Sequence, residues 1–441
     1  MKLPVWAWLA LSSVAIPLAN AATRPHYGGS LTVELSSAWT TLNESSALSI
    51  PITETLVRLN ARGGIGPALA VAWQHDADFK RWRFSLRPKV TFHDGEPLNG
   101  ASAAPSLLAA LKKKYGDVSI QTGGQAIVIQ SSEAMPDLLA DLGAPRAAVF
   151  RQSEANPLIG TGPFRVIAWE PGRRLVVAAF DDYWGSRPYL DSIAIEFGSG
   201  HARADIFDIP AGPARRILPE GIATWSSSPR TLVAITVAIT AVNAQAPGLL
   251  QALALVIDRA PIVNVLAQRK GEAAFSLLPQ WLSGYAFLFQ SAPDVPRAKQ
   301  LVTQLQIGQL GLGPISLSYP ANDAFLRSVA ERIALNARDA GMAIQPTPGP
   351  LNNALNNPGG TLRLVEWQLE STDAAAELQR FGEPTQLDSS KPEALYQAER
   401  SLLDHVIPLV HLRETFGFTP RVHIQGSDPF ALHLEDAWVQ H

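Results

Sequence analysis

Few side chains in this chain are placed to do chemistry. His93-Asp94 lies within Val90-Thr91-Phe92-His93-Asp94-Gly95-Glu96-Pro97-Leu98. An imidazole beside a carboxylate suits metal ligation or acid–base work. The same residues also make a turn, with Asp94-Gly95 supplying the bend and His93 packing or bonding locally. No second ligand cluster lies nearby, so the turn is favoured. Asp258-Arg259 reads as a helix cap or a local salt bridge. Lys112-Lys113-Lys114 closes a helical pattern, where cations suit the helix dipole. There is no nucleophile elbow (G-x-S-x-G), Walker loop, dinucleotide glycine fingerprint or H-E-x-x-H pair. The nine histidines form no helix-spaced pair. No enzymatic function is expected, no metal site or cofactor is indicated, and binding is the chemistry left.

At 441 residues the chain is too long for one core, so two or three domains of roughly 100–200 residues are expected. Hydrophobic content of 46% and charged content of 17% are those of a globular protein. A net charge of -3 gives no global reason to expect nucleic acid or a membrane surface as partner. Zero cysteines exclude a disulfide framework, a cysteine metal site and a lipid anchor through cysteine. Lys2, the apolar run Val5 to Leu18 and the small residues Ala19-Asn20-Ala21 read as a secretory signal peptide over 1–21. A soluble exported protein follows. Val233 to Ile239 is apolar but too short to span a bilayer and reads as a buried strand.

Local periodicity then places the elements. Phe164, Val166 and Ala168 alternate with Arg165, Ile167 and Trp169, which is strand period. Glu170-Pro171-Gly172-Arg173 is a type II turn, with proline presetting φ and glycine accepting the positive φ. Leu175 to Phe180 returns as a strand, and Ser192 to Phe197 is the next. Ile52, Leu56 and Leu59 sit near helical spacing. Trp82 to Arg87 alternates as a strand, Ala101 to Leu111 is helical, and Leu250 to Leu266 is two short helices, since Pro261 suits a helix's first turn and would break one in its middle. Ile315 to Tyr319 is a strand. Asn322 or Asp323 caps a helix whose buried face is Phe325, Leu326, Val329, Ile333 and Ala337, and Gly341 ends it. A second strand follows, so the unit is a parallel βαβ crossover. Asn352 to Gly360 is a loop.

Several of these stretches resemble the peptide/nickel-type extracellular solute-binding proteins of ABC importers, solute-binding family 5. The resemblance rests on Gly160-Thr161-Gly162-Pro163-Phe164, on Trp169-Glu170-Pro171-Gly172, and on Asp182-Tyr183-Trp184-Gly185 followed by Pro188, Leu190, Asp191 and Ile193. Glu54-Thr55-Leu56-Val57-Arg58, Pro67-Ala68-Leu69-Ala70, Phe92-His93-Asp94-Gly95, Ile257-Asp258-Arg259 and Val406-Ile407-Pro408-Leu409 add to it. The resemblance implies a two-lobed α/β fold of the type II periplasmic-binding kind, with mixed sheets and a trimmed extra subdomain in the first lobe. The expected boundaries are 22–47, 158–240 and 406–441 for lobe I, 48–157 for the inserted subdomain and 241–405 for lobe II. Val406 to Leu412 is expected to return the chain to lobe I.

The resemblance also implies a function: capture of a small solute, a peptide first among the candidates, and delivery to permease subunits in the inner membrane. The expected protein is a periplasmic monomer. The alternative is a degenerate member retained as a sensory or assembly module without transport, motivated by the abbreviated stretches. In peptide-binding members an acidic residue after the tryptophan-containing strand takes the ligand's amino group. Here that register, in Glu366-Trp367-Gln368-Leu369-Glu370-Ser371-Thr372-Asp373, gives Glu370 with Asp373 beside it. A carboxylate offsets the desolvation of a partly buried ammonium. The competing role is an exposed loop acid or a cap on the following helix. Trp367 and Trp39 are candidates to line the cleft, with core packing the alternative for each.

Overall fold

A computed structural model describes residues 25–440 except 43–45, 60–63, 113, 154–157, 199–203, 213–217, 219, 238–245, 305–314, 350–361, 372, 383–386, 388–390 and 426–428. The signal peptide and the loop expected over Asn352 to Gly360 lie outside the described residues. Among them no single helix is long and apolar enough to cross a membrane.

The expected hairpin forms as Phe164–Glu170 and Arg174–Ala179, antiparallel, with Gly172 at φ 72° in the turn. Ser192–Phe197 pairs antiparallel with the second strand and parallel with Ser30–Leu35. Ile206–Asp208, Thr415–Phe418 and Ala223–Ser226 complete a seven-stranded sheet. Its alternating apolar residues, among them Leu31, Val33, Leu175, Val177, Ile193 and Ile195, enter one core.

The βαβ unit forms as Ile315–Pro320, helix Ala324–Arg338 and Ile344–Gly349, with the two strands parallel. Asp323 is the cap, its carboxylate accepting from Leu326 N at 2.8 Å. Asp323→Ala is expected to cost about 1 kcal/mol, read from a urea unfolding midpoint. These strands join Leu362–Gln368, Thr231–Val237, Val406–Leu412 and Gly271–Ala273 in a six-stranded sheet. Phe325, Leu326, Val329, Ile333 and Ala337 pack against it as the spacing requires.

A third core lies under the four-stranded sheet of Ala70–His75, Arg81–Leu86, Ala126–Gln130 and Ser119–Gly123, covered by helix Gly100–Lys112. Two polar contacts fasten this subdomain to the seven-stranded lobe. His93 Nδ1 accepts from Gly160 N at 3.2 Å, and His93 Nε2 donates to Gly162 O at 3.0 Å. That fixes the neutral imidazole, consistent with burial pulling its pKa down. The Glu54 carboxylate accepts from Thr161 Oγ1, Trp184 Nε1 and Tyr183 Oη at 2.9, 2.9 and 3.1 Å. Burial pushes the Glu54 carboxyl up against these donors, which pull it down. His93, Glu54 and the Gly160–Pro163 turn are therefore joinery between domains.

Two expectations are corrected. Residues 52–59 are not helical: Val57–Leu59 pairs antiparallel with Ile65–Pro67. Pro51 and the carbonyls of Ile52 and Glu54 are committed to the Gly160 turn and to Val149 N, which holds the segment extended. Thr231–Val237 and Val406–Leu412 lie in the six-stranded sheet, not in lobe I with Ser30–Leu35. The chain returns to the first lobe after Leu412. The two helical segments expected in 250–266 form: the break falls at Ile257-Asp258, where Asp258 accepts from Ala260 N at 3.1 Å, and Pro261 occupies the first turn of the second segment.

Candidate functional site

The two large sheets are joined by two short crossings. One is 227–230, between strands Ala223–Ser226 and Thr231–Val237; the other is 413–414, between Val406–Leu412 and Thr415–Phe418. They run side by side: Ser227 N donates to Glu414 O and Arg230 N to Leu412 O, each at 2.9 Å. Glu414 N donates to Ser227 Oγ at 3.1 Å. Paired crossings of a few residues are hinge material, since a small φ/ψ change in each rotates one lobe on the other.

In open α/β sheets ligands bind outside the carboxyl ends of parallel strands. Both parallel sets here end at the crossings. Ile206–Asp208 ends two residues before Pro210, whose carbonyl accepts from Lys270 Nζ of the other lobe at 2.7 Å. Gln368 ends Leu362–Gln368, and its Nε2 donates to Glu414 Oε1 at 3.0 Å. The other Glu414 oxygen accepts from Ser46 Oγ and Ala47 N, both at 2.9 Å. Arg230 reaches across as well, donating to Phe430 O and Leu369 O at 3.2 Å each. The carboxyl ends of the two sets thus face each other over a crevice floored by the hinge.

Strand alternation puts Leu362, Leu364, Glu366 and Gln368 on one face. The two leucines enter the core and Gln368 reaches the hinge. Glu366 lies between them, open to solvent, and its carboxylate has no hydrogen bond or ion pair among the described residues. Desolvation by the packed protein around the strand, and secondly the Asp323 carboxylate, push its pKa up to about 7. Reading the sequence for an acid after the tryptophan passed over Glu366. The signal was available: an acidic residue stands in the leucine register of an otherwise apolar strand.

The expected site residues are placed as follows. Glu370 is just past the strand end, and its Oε1 accepts from Arg380 Nη2 at 2.7 Å. Arg380 also binds the buried Glu377 at 2.7 Å. Asp373 caps helix Ala374–Arg380, accepting from Ala375 N at 2.9 Å. Trp367 points to the face opposite Glu366 and meets the Phe381 ring edge-on at 4.6 Å. Trp39 belongs to the first lobe, half-buried against Phe197, which ends a parallel strand there. Glu370 and Asp373 share the loop that follows the strand carrying Trp367; Trp39 sits apart from them.

Two α/β lobes, two hinge crossings and a crevice at the strand carboxyl ends define a two-lobed binding protein of the periplasmic type. Residues 64–389 match the family model for bacterial extracellular solute-binding proteins, family 5 middle region, and the chain belongs to that family. Over 160 residues it is 28% identical to the nickel-binding protein NikA of Staphylococcus aureus, covering 34% of this chain and 32% of that one. Over 156 residues it is 32% identical to the HTH-type transcriptional regulator SgrR of Photorhabdus laumondii, covering 33% of this chain and 28% of that one. The matched part thus spans about a third of the curated relatives' length. The fold of the Staphylococcus aureus NikA crystal structure with Ni(L-His)2 superposes with a TM-score of 0.77 at 17% identity, over 93% of this chain and 100% of that one. Helicobacter pylori DppA in complex with the peptide STSA gives 0.75 at 16%, over 95% and 99%. DppA is described as an ABC transporter-associated periplasmic binding protein.

Proposed function

We propose that this chain is an extracytoplasmic, monomeric solute-binding protein that closes its two lobes on a small cationic solute, a peptide with a free amino group, and delivers it to an ABC permease. One observation carries the choice of solute: Glu366, a carboxylate with no ion-pair partner among the described residues, stands near the strand end beside the hinge. A cation brought to it supplies the opposite charge that the site lacks. Glu370 is a second carboxylate for the same amine, but a ligand there competes with Arg380. Trp39 faces the solute from the first lobe in this reading, Trp367 packs on Phe381 away from Glu366, and Asp373 holds the loop that carries Glu370. Closure follows when the ligand contacts both lobes only in the shut form; moving a 1:99 equilibrium to 99:1 takes about 5.5 kcal/mol of differential affinity.

The test is mass spectrometry of whatever co-purifies, then calorimetry with it and with peptide libraries. Glu366→Gln is expected to weaken a cationic solute about 10- to 100-fold. Affinity is also expected to rise with pH. Below pH 7 the ligand must displace a proton from Glu366, so binding at pH 6 is about tenfold weaker than its plateau above pH 8. Absence of heat or thermal shift with every peptide would remove the peptide assignment. Unchanged affinity in Glu366→Gln would remove that residue from the site.

A sensory module without transport is the second reading, favoured by the 32% identity to a transcriptional regulator. Stimulation of a reconstituted permease ATPase by the loaded protein supports transport; none, with ligand bound, supports sensing.

A further inference from the structure

A cavity of about 340 Å3 opens in the six-stranded lobe, apart from the crevice, and Arg259 lines it. Asp258 starts a helical turn by capping Ala260 N, and this sends the Arg259 side chain inward. There it is only 7% exposed. Its Nε donates to Ala274 O at 2.7 Å and to Pro408 O at 3.0 Å, and Nη1 donates to Ile257 O at 3.4 Å. The guanidinium carbon lies 4.5 Å from the centre of the Phe275 ring. No carboxylate pairs with it among the described residues, and Nη2 donates to no protein group there. A guanidinium taken out of water without a counter-ion is costly, by several kcal/mol. Burial accordingly pulls its pKa down to about 10. Carbonyl dipoles and a ring face offset part of that cost and leave the net charge in place.

The rest of the lining is mostly apolar: Ile257, Val263, Phe275 and Pro293 are in it. A free guanidinium edge suits a carboxylate, which accepts two parallel N–H bonds. An apolar wall suits a hydrocarbon tail. Asp258 also lines the cavity and repels a second negative charge. The geometry points to a second binding site at Arg259, which takes a small monocarboxylate with its carboxylate on the guanidinium and its apolar tail against Val263, Phe275 and Pro293.

Calorimetry of the full chain with valerate, valeramide and succinate tests it. Valerate is expected to bind saturably, one per chain, with valeramide and succinate more than tenfold weaker. Ala260 lines the cavity and is exposed, so Ala260→Phe adds bulk there and is expected to weaken valerate more than tenfold while the melting temperature holds. Arg259→Gln is expected to do the same where it folds. Glu366→Gln, which alters the crevice, is expected to leave valerate binding unchanged. A bromine anomalous peak beside Phe275 in crystals soaked with 5-bromovalerate supports the placement. No saturable valerate binding, equal binding of valeramide, unchanged binding in Ala260→Phe, or loss in Glu366→Gln would each overturn it.

Discussion

Alanine at Gly160 is expected to abolish the native fold, or to cost more than about 4 kcal/mol, well above an ordinary point substitution. A Cβ on Gly160 would sit 1.9 Å from the Ile52 carbonyl oxygen, and one on Gly162 would sit 2.3 Å from that of Pro51. Both obstacles are backbone, so no rotamer change relieves them. The neighbouring chain is pinned as well: Gly162 N donates to Ile52 O, Phe164 N to Pro51 O, and Gly160 N to His93 Nδ1. Moving the carbonyl aside breaks the junction between the core under the four-stranded sheet and that of the seven-stranded sheet. Gly95 is the control. It has φ 84° but nothing within 4 Å of a built Cβ, so alanine there should cost only on the order of 1 kcal/mol, from backbone strain. Thermal melts by circular dichroism compare the two. Gly160→Ala melting within about 2 °C of the parent would show that the close packing does not hold the domains together.

Acid is expected to remove roughly 3 kcal/mol of stability through His411 between pH 6.5 and pH 4. His411 is 2% exposed in the central strand Val406–Leu412, and its Nε2 donates to Leu277 O at 3.0 Å. Burial pulls its pKa down to about 4, with the Leu277 carbonyl opposing. The folded protein therefore binds this proton more weakly than the unfolded chain does. The contribution is complete above about 6.5 and declines as pH falls to about 4, where the folded imidazole also protonates. His93, also lowered by burial, acts in the same direction. Glu399 acts oppositely. Its Oε1 accepts from Leu277 N and from Leu278 N, and burial pushes it up to about 7. Its contribution is present below about 4.5 and is lost as pH rises through 7. Wild-type stability alone mixes these effects. The informative quantity is the urea stability of wild type minus His411→Gln at pH 7, 5.5 and 4. That difference should fall steadily with acid; a constant difference would remove His411 from the account.

Local sequence determined those parts whose partners are near in the chain. The hairpin 164–179 follows from alternation and from Pro171-Gly172, which need no distant information. The βαβ unit of 315–349 follows from helical spacing, the Asp323 cap and Gly341 at φ 82°. The family was legible in fixed-order motifs such as Gly160 to Phe164 and Asp182 to Gly185. Strand identity says nothing about which sheet a strand joins. Val406–Leu412 is buried at every position and apolar at all but His411, a pattern that suits either sheet; pairing with Thr231–Val237 and Gly271–Ala273 decided it. Leu56 satisfied a helical spacing, yet the segment is extended because its carbonyls serve distant donors. The crevice was least legible. Glu370 was read from motif register, and tertiary structure gave it Arg380 as a partner. Glu366 differs only in what folding brings near it. Whether an acid is neutralised, capping a helix or left without a counter-charge depends on groups tens of residues away, and chain folding alone sets those distances.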